Sequence, residues 1–519
     1  MNIIIGISWP FANGELHIGH AASSLPRDVI ARYHRLKGDK VILVSGTDCH
    51  GTPTEVKALQ ENKSPKEIVD YCHVSFSKDF KDFGISFDLY NRTDDPYHKE
   101  FVQEQFVKYY NNGYLEEKEE EQLYCDNCKL FLADRYIIGI CPKCGSEIKG
   151  DECEKCGSLL TIDEVKETKC AICGNKASYK KNRNLYFKLS IFQDNIKELL
   201  DSKRNDWRGN AVNFTERYLK EGIPDRCVSR TLNYGIDIPI DGFKDKKLYG
   251  WFENVWGYVT ASKKYAEENY LNWEDFWKGE NSKIYLVHAK DNIPFHTVIF
   301  PSLLLATNDN YRLPDKIVSD EYITIEGEKL SKSKGNYITL RHLLNNYPVD
   351  VIRYYFSINN PETRDFNFTY EGFINSINGE LLGKWGNFVN RTLQFINKSF
   401  GNDIDNGDTK DGLAKIFDFI NYSNKYFDEN KPWKLAKEDV IKCEDILYNC
   451  CNIIFNINNL LKPYFVETTK KVEEYLNSNI SSWNYQKLEK VKLSEEINPL
   501  FIRYDKKVID QERELLNKN

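Results

Sequence analysis

Two histidines, His17 and His20, lie three residues apart near the start of the chain, with Gly19 between them. An apolar run and a turn of proline, asparagine and glycine precede them, and a helical pattern follows. This order predicts a buried strand, a tight turn and a helix that opens with imidazoles. A helix N-terminus attracts anions, and side chains at i and i+3 face the same way, so the pair is suited to a phosphate. The alternative is two surface histidines that cap the helix.

A second group of cations lies in a short polar loop, residues 329–336, which contains three lysines among serines and a glycine. Mobile ammonium groups on a flexible loop suit polyphosphate binding. Alone, the loop is better interpreted as an exposed basic turn. The histidine pair favours the phosphate-binding interpretation.

Asp48 ends a second predicted strand, residues 40–48. Strand, helix and strand within about fifty residues form a βαβ unit, and ligands of such sheets bind at the carboxyl ends of the strands. Asp48 is therefore placed to pair with an ammonium group, although a helix N-cap is an equal alternative. A helical pattern follows over residues 65–112, and the α/β pattern resumes from about residue 226.

Eight of the fourteen cysteines fall in four Cys-x-x-Cys pairs. In a chain without a secretory signal this spacing indicates metal rather than disulfides. Four thiolates make a closed tetrahedral site, which is typical of structural zinc. The simplest pairing is nested, with the inner four cysteines on one zinc and the outer four on a second, although other pairings remain open. The pairs are Cys125/Cys128, Cys141/Cys144, Cys153/Cys156 and Cys170/Cys173.

Residues 179–188 mix basic and aromatic side chains. Such a mixture suits contact with an RNA backbone. A solvated strand has the same composition, and the sequence does not separate the two.

The composition is that of a globular protein with several domains. A chain of 519 residues is too long to fold around a single hydrophobic core. Of its residues, 41% are hydrophobic and 29% are charged. Without an apolar run of eighteen residues or a signal peptide, we expect a cytoplasmic protein that does not enter membranes. The net charge of −7 does not exclude nucleic acid, because a local basic face suffices. Strand patterns vanish beyond residue 365, where amphipathic helices are predicted over 371–400, 411–428, 431–460 and 466–477.

His17-Ile18-Gly19-His20 and Lys329-Leu330-Ser331-Lys332-Ser333 resemble the two signature motifs of class I aminoacyl-tRNA synthetases. Residues 10–14, 46–52, 290–297, 386–391 and 431–433 resemble motifs of the methionyl-tRNA synthetases, so the resemblance covers nearly the whole chain. It implies an α/β fold: a Rossmann-type parallel-sheet catalytic domain with a zinc-binding insertion, followed by an all-α anticodon-binding bundle. The expected domains are residues 1–114 and 226–328 (catalytic), 115–225 (insertion with two zinc knuckles), 329–365 (lysine loop and stem contact) and 366–519 (anticodon binding).

The resemblance implies a two-step reaction. Methionine attacks the α-phosphate of ATP, and the terminal ribose of tRNA(Met) then takes the methionyl group. Mg²⁺ is expected with ATP, and a monomer is expected because no dimerising module follows the bundle. The implied catalytic residues are His17, His20, Lys329 and Lys332, and ATP would also contact Pro10, Asn13, Gly14, Gly19, Ser331 and Ser333. The implied amino-acid pocket comprises Trp9, Phe11, Asp48, Trp251, Asn254, Val255, Tyr258, Asn292, His296 and Phe300, and the implied anticodon readers are Asn387, Arg391 and Trp433.

The pocket departs from the family pattern. Where the family has W-[LVF]-D-A-P-[IV]-G-Y, this chain has W-F-E-N-V-W-G-Y, so Asn254, Val255 and Trp256 replace alanine, proline and a small aliphatic residue. Phe11 replaces a common tyrosine, Trp9 a smaller apolar residue and Phe300 a tryptophan. Apolar pockets discriminate by only about 1–3 kcal/mol per methylene, so such changes can alter specificity. The alternatives are a paralogue for another amino acid or a methionine analogue, a resistance or back-up copy, and a zinc-dependent RNA-binding protein without catalysis.

Overall fold

A computed structural model describes residues 1–132, 136–149, 164–330, 335–400, 403–404, 413–479, 485–489 and 491–516. In chain order, the strands are β1 (Asn2–Ile7), β2 (Lys40–Thr47), β3 (Leu89–Arg92), β4 (Leu115–Cys125), β5 (Leu130–Phe131), β6 (Ile137–Ile140), β7 (Glu147–Lys149), β8 (Lys166–Cys170), β9 (Ser178–Phe187), β10 (Arg226–Cys227), β11 (Ser229–Arg230), β12 (Lys247–Leu248), β13 (Ser282–Ala289), β14 (Lys316–Asp320), β15 (Ile323–Ile325), β16 (Glu328–Lys329), β17 (Phe366–Phe368), β18 (Asp403–Ile404) and β19 (Val491–Lys492). The α-helices are α1 (Ile18–Leu36), α2 (Thr52–Glu61), α3 (Pro65–Asp82), α4 (Pro96–Asn111), α5 (Gln193–Lys203), α6 (Gly209–Glu221), α7 (Gly250–Glu253), α8 (Gly257–Glu268), α9 (Glu274–Trp277), α10 (Phe300–Ala306), α11 (Leu340–Asn346), α12 (Val349–Ile358), α13 (Tyr370–Ser376), α14 (Asn387–Phe400), α15 (Leu413–Asn430), α16 (Pro432–Glu438), α17 (Val440–Leu461), α18 (Thr468–Leu476) and α19 (Lys507–Leu516).

The chain divides into two compact units, each made of three segments. The first unit comprises Met1–Glu15, Ile42–Lys78 and Phe87–Ser319, and the second comprises Leu16–Val41, Asp79–Ser86 and Asp320–Asn519. The five domains expected from the sequence are defined by their functions rather than by compactness, so their boundaries stay a prediction.

The first unit is built on a five-stranded sheet in the order β14-β13-β1-β2-β3. β1 pairs in parallel with β13, and β2 pairs in parallel with β3. The residues of β1 from Ile3 onward are buried, as expected of a parallel strand covered on both faces. The predicted Rossmann-type parallel sheet is therefore confirmed. The helical prediction over 65–112 was wrong at β3, because a four-residue strand between two helices is too short to show a period of two.

The insertion of the first unit is built on a long antiparallel pair, β4 and β9, flanked by β10 and β5. A separate sheet has the order β7-β6-β8. The long pair carries opposite charges: Lys181 Nζ lies 2.8 Å from Glu119 Oε1, and Arg183 pairs with Glu117. These cross-strand pairs favour the solvated-strand alternative over RNA contact for residues 179–188.

The second unit is mainly helical, as predicted for the C-terminal third. In α17, 15 of the 22 residues are buried, and the helix packs against α14, α15, α16 and α18. The prediction that strand patterns vanish beyond residue 365 was wrong at β17, a three-residue strand that pairs in parallel with β15, and at β18, a two-residue strand that pairs with β19. Such short strands are defined by their partner rather than by a sequence pattern.

A buried ion pair joins distant segments of the second unit. The guanidinium of Arg353 on α12 donates to Asp28 Oδ2 on α1 at 2.6 Å, and both side chains are fully buried. Although burial works to raise it, the cations Arg353 and Arg32 hold the pKa of Asp28 below its usual value. Asp28 is therefore a carboxylate at neutral pH, satisfied by two arginines and by the Ser86 backbone and hydroxyl.

Candidate active site

The order of the main sheet reverses between β1 and β13, which makes their carboxyl ends the switch point at which ligands bind in such folds. Trp9 and Phe11 follow β1, and Asn292 and His296 follow β13. Asp48 follows β2, and a parallel bridge places it directly beside Phe11. The fold thus brings together the segments on which the sequence predicted an amino-acid pocket.

Asp48 is fully buried and has neutral partners. Asn254 Nδ2 donates to its Oδ2 at 2.8 Å, and the backbone N–H of His50 lies 3.4 Å from its Oδ1. Burial raises the pKa of Asp48 well above its usual value, and the charge of Glu253 raises it further. Gly51, not Asp48, occupies the N-cap position of α2, so the capping alternative is wrong. A buried carboxylate without a cation partner is suited to receive one from a ligand.

Three aromatic rings form a continuous wall in the same unit. Phe11 meets Trp251 edge to face at 5.5 Å between ring centroids. Trp251 stacks on Phe295 at 4.0 Å with an interplanar angle of 8°. All three side chains are partly exposed, so their faces are available to an apolar ligand.

Tyr258 and His296 form a buried hydrogen-bonded pair. Burial lowers the pKa of His296 to about 4, so the ring is neutral at pH 7. Its Nδ1–H donates to the carbonyl of Asn292 at 2.8 Å, which leaves Nε2 to accept from the Tyr258 hydroxyl at 2.8 Å. The two side chains therefore hold each other in one orientation.

Trp9 fits because two glycines make room for its indole. A Cβ on Gly257 would lie 2.5 Å from Cζ2 of Trp9, and Gly46 is equally close to the ring. The large side chain of Trp9 thus fits because the backbone facing it belongs to glycines, which have no side chains. Among the other predicted pocket residues, Val255 is buried and Phe300 packs edge-on against Tyr258.

We expect Gly257→Ala to lower the melting temperature of the protein, although alanine usually stabilises a helix relative to glycine. The new methyl group would collide with Trp9, and overpacking of this kind costs about 1–3 kcal/mol. Gly209→Ala is the matched control, because a Cβ at this helical glycine has no neighbour within 4 Å. Thermal unfolding of the three proteins checks the prediction, and equal melting temperatures for the two variants would contradict it.

Glu253 is a functional candidate that sequence reasoning missed. It is fully buried, and its two carboxylate oxygens lie 2.8 Å from His50 Nδ1 and 2.9 Å from His98 Nε2. An acidic residue within the mainly apolar and aromatic run 251–258 was the available signal, because a buried carboxylate requires partners.

The second unit contains the histidine pair. His17 is the N-cap of α1; its Nδ1 accepts from the Gly19 N–H at 3.1 Å, while His20 Nδ1 accepts from the His17 N–H at 3.0 Å. Because each Nδ1 accepts, each ring carries its proton on Nε2. The ring centroids lie 4.0 Å apart. The capping alternative is therefore geometrically correct, and each ring carries an N–H donor at Nε2 close to the N-terminus of α1.

The lysine loop follows a tight hairpin of the second unit. β15 and β16 pair in an antiparallel fashion across Glu326 and Gly327, which both have positive φ. Lys329 ends β16 with an exposed side chain, and its carbonyl accepts from Asn336. Ser331, Lys332 and Ser333 lie outside the described residues.

The outer cysteines, Cys125, Cys128, Cys170 and Cys173, form one cluster whose Sγ atoms all lie within 4.8 Å of one another. Two of the Sγ–Sγ distances are 3.5 Å and 3.9 Å. A tetrahedral zinc with Zn–S bonds of about 2.3 Å places its sulfurs about 3.8 Å apart, so the cluster fits this metal.

Cys141 and Cys144 begin the predicted inner set. The N–H of Gly145 donates to the Cys141 carbonyl at 2.9 Å, just as the N–H of Gly174 donates to the Cys170 carbonyl at 2.8 Å. Both glycines have a φ of +72°. The two segments thus form the same knuckle turn. Cys153 and Cys156 lie outside the described residues.

Two of the three predicted anticodon readers lie around one aromatic ring of the second unit. The guanidinium of Arg391 lies 5.2 Å from the ring centroid of Phe427, and Trp433 lies 6.0 Å from it. Arg391 also pairs with Asp428 at 2.5 Å. Asn387 precedes Arg391 by one turn of α14, and Trp433 is 40% exposed, so its ring is available for stacking.

Comparison with known proteins identifies the family of the chain. The family model of "tRNA synthetases class I (M)" matches residues 3–393. The chain is 44% identical to methionine–tRNA ligase 1 of Alkaliphilus oremlandii over 99% of both chains, and 43% identical to methionine–tRNA ligase of Streptococcus pneumoniae over 99% of this chain and 98% of the relative. The chain belongs to the methionyl-tRNA synthetase family. Its fold matches Mycobacterium tuberculosis methionyl-tRNA synthetase in complex with methionyl-adenylate, with a TM-score of 0.79 at 21% identity over 96% of this chain and 99% of that one.

Proposed function

We propose that the protein is a methionine–tRNA ligase that forms methionyl-adenylate from methionine and ATP and transfers the methionyl group to tRNA(Met). The observation that carries the proposal is the buried carboxylate of Asp48 at the sheet's switch point, because the α-ammonium group of an amino acid is the cation that it lacks. The match to methionine–tRNA ligases over 99% of the chain supports the choice of amino acid.

The pocket residues divide into polar and apolar roles. Asp48 binds the ammonium group, with Asn254 orienting the carboxylate. Phe11, Trp251 and Phe295 enclose the apolar side chain, and the Tyr258–His296 pair closes the pocket with a fixed polar surface. The remaining residues of the proposed pocket give it its shape through their packing: Trp9, Val255, Asn292 and Phe300.

The histidine pair acts on the phosphates of ATP, which enters as its Mg²⁺ complex. The Nε2–H groups of His17 and His20 donate to oxygens of the α-phosphate as the substrate carboxylate attacks, with Gly19 and the turn residues Pro10, Asn13 and Gly14 shaping the backbone. Lys329 and Lys332, with Ser331 and Ser333, hold the leaving pyrophosphate. Catalysis then needs no covalent nucleophile.

ATP–pyrophosphate exchange with each of the twenty amino acids tests the function directly. We expect strong exchange with methionine alone, followed by charging of tRNA(Met). Exchange with a different amino acid would favour the paralogue alternative and would trace the change to Asn254, Val255 and Trp256. Absence of exchange in folded, zinc-loaded protein would contradict the proposal.

We propose two structural zinc ions per chain, one on the outer cysteine cluster and one on Cys141, Cys144, Cys153 and Cys156. The repeated knuckle turn at Cys141 and Cys170 supports the second site. Each metal supplies binding free energy to its knuckle and takes no part in the reaction.

Metal analysis is expected to find two zinc ions in the wild-type chain and one in Cys141→Ser. The remaining ion should be lost on Cys170→Ser in the same background. Cys227→Ser is the control, because this cysteine lies outside both sets and should leave the zinc content unchanged. A wild-type content of one ion would contradict the second site.

For the remaining partners we propose that Asn387, Arg391 and Trp433 read the anticodon, that the protein is a monomer and that it works in the cytoplasm. The shared contact of Arg391 and Trp433 with Phe427 supports a stacking surface for bases. Among the described residues, no helix combines the length and apolar character needed to cross a membrane.

A further inference from the structure

Three buried side chains next to the proposed ammonium site form a network that the reaction described above does not use. His50, Glu253 and His98 are each at most 1% exposed. Two imidazole N–H groups donate to the separate oxygens of Glu253, at 2.8 Å and 2.9 Å. His98 Nδ1 lies 2.8 Å from the hydroxyl of Thr260, which fixes the outer end of the network.

The network keeps Glu253 ionised. Although burial works to raise it, the two imidazoles hold the pKa of Glu253 below its usual value. No lysine or arginine of the described part of the chain forms an ion pair with either Glu253 or Asp48. The imidazole donors are therefore the groups that stabilise the negative charge of Glu253.

Asp48 is less well stabilised as an anion, although it is equally buried. Its partners are one amide of Asn254 and a long contact with a backbone N–H. His50 contacts both carboxylates, with its backbone N–H near Asp48 and its ring on Glu253, and Asn254, the residue after Glu253, donates to Asp48. The two buried negative charges disfavour each other, and the proton goes to the carboxylate with the poorer donors, which is Asp48.

We propose that Glu253, held as an anion by His50 and His98, keeps a proton on Asp48 in the free protein, and that the ammonium group of methionine displaces this proton to solvent. The balance is simple: a carboxyl O–H loses its proton to the buffer, and the resulting carboxylate binds an ammonium group that keeps its own protons. Glu253 is thus a positioning residue, which sets the charge of the site without touching substrate. The inference rests on the proposed function, because it assigns Asp48 to the ammonium group.

The other titratable groups around Asp48 and Glu253 are not the source of the released proton. His296 is neutral across the relevant range because burial lowers its pKa to about 4, and the pKa of Tyr258 is raised far above neutrality. On the other side of Asp48, burial raises the pKa of Cys49. The groups beyond these are Asp94, which pairs with Arg92, and Tyr234, which donates to Asp94 and whose ring lies 5.2 Å from that of His50.

Calorimetric titration of the full-length, zinc-loaded protein with methionine, in buffers of different ionisation heat between pH 5.5 and 8, measures the protons released. We expect up to about one proton released per methionine. Release occurs only between the pKa of Asp48 in the complex and its raised value in the free protein, so it should fall to zero as the pH rises through that raised value.

Glu253→Gln removes the opposing charge but leaves Asp48 buried, so we expect proton release to end at a lower pH than in the wild type and the pH dependence of KM for methionine to shift to lower pH with it. Glu253→Asp keeps the charge and should keep the release. Glu267→Gln is the matched control on α8, because this carboxylate contacts the Tyr97 hydroxyl rather than the network, and it should behave as wild type.

Wild-type protein that binds methionine without releasing protons across the whole range would overturn the inference, and so would release by Glu253→Gln that ends at the same pH as in the wild type. Where Glu253→Gln does not fold, the wild-type titration and the Glu253→Asp variant still decide. The proposed function fails separately, since its failure is a lack of methionine-dependent exchange in the wild type, whereas exchange without proton release overturns only the inference.

Discussion

Asp48→Asn is expected to lower kcat/KM for methionine in ATP–pyrophosphate exchange by about 10²–10⁴-fold. The ammonium group would then enter a fully buried site without the carboxylate that pairs with it, and removing one partner of a buried ion pair costs about 3–5 kcal/mol. The loss should fall on binding of methionine, because Asp48 meets a group that does not change during the reaction. The affinity for ATP should remain that of the wild type.

A methionine analogue without the amino group isolates this interaction. 4-(Methylthio)butanoate keeps the side chain and the carboxylate, so it should inhibit the wild type and Asp48→Asn with similar constants. A double-mutant cycle between the protein carboxylate and the ligand amino group then gives their coupling directly. Activity of Asp48→Asn within about tenfold of wild type would contradict the assignment, because removing one partner of a buried ion pair costs more than that.

His20→Asn is expected to lower kcat of adenylate formation by about 10²–10³-fold, with KM for methionine and ATP changed by less than about threefold. Asparagine keeps an acceptor near the position of Nδ1, so the contact with the His17 N–H at the start of α1 survives. The variant lacks the Nε2–H donor that meets charge developing on the α-phosphate. An interaction made mainly in the transition state changes kcat rather than KM.

The reciprocal variant, His17→Asn, provides the internal control. Asparagine is among the best N-cap residues, so the contact with the Gly19 N–H and the stability of α1 should persist. We expect a similar loss of kcat and an unchanged melting temperature. A rise in KM for ATP with an unchanged kcat would show that the histidines bind ATP only in the ground state. A lower melting temperature would show that their role is structural.

The parts of the site that depend on neighbouring residues could be predicted from the sequence. The strand, turn and helix around His17 follow from an apolar run, turn residues and an amphipathic pattern, and the structure has them at Asn2–Ile7 and Ile18–Leu36. Cys-x-x-Cys spacing fixes each knuckle turn locally, so the turns were also predictable, whereas the outer cluster needs Cys125 and Cys173, 48 positions apart, to meet. The nested pairing placed Cys125 with Cys170, and the cluster confirms that half of it.

The parts that depend on tertiary contacts could not be predicted. Glu253 and His50 are 203 positions apart, and His98 is a further partner on a different helix, so no local pattern indicates that they meet. Asp48 had two local interpretations of equal weight, and only the position of Gly51 at the start of α2 excludes one of them. The accommodation of Trp9 by Gly257 likewise depends on distant backbone.

The pairing of Asp28 with Arg353 has a consequence for how the chain matures on the ribosome. The two residues are 325 positions apart, and at about 5–20 residues per second the ribosome needs roughly 15–65 s to add the second after the first. During that interval α1 has been synthesised, but α12, which covers its buried carboxylate, has not. The first unit can be completed once Ser319 has emerged, whereas the second must wait for the last third of the chain. During synthesis α1 therefore remains without its α12 partner for longer than the first unit takes to be completed.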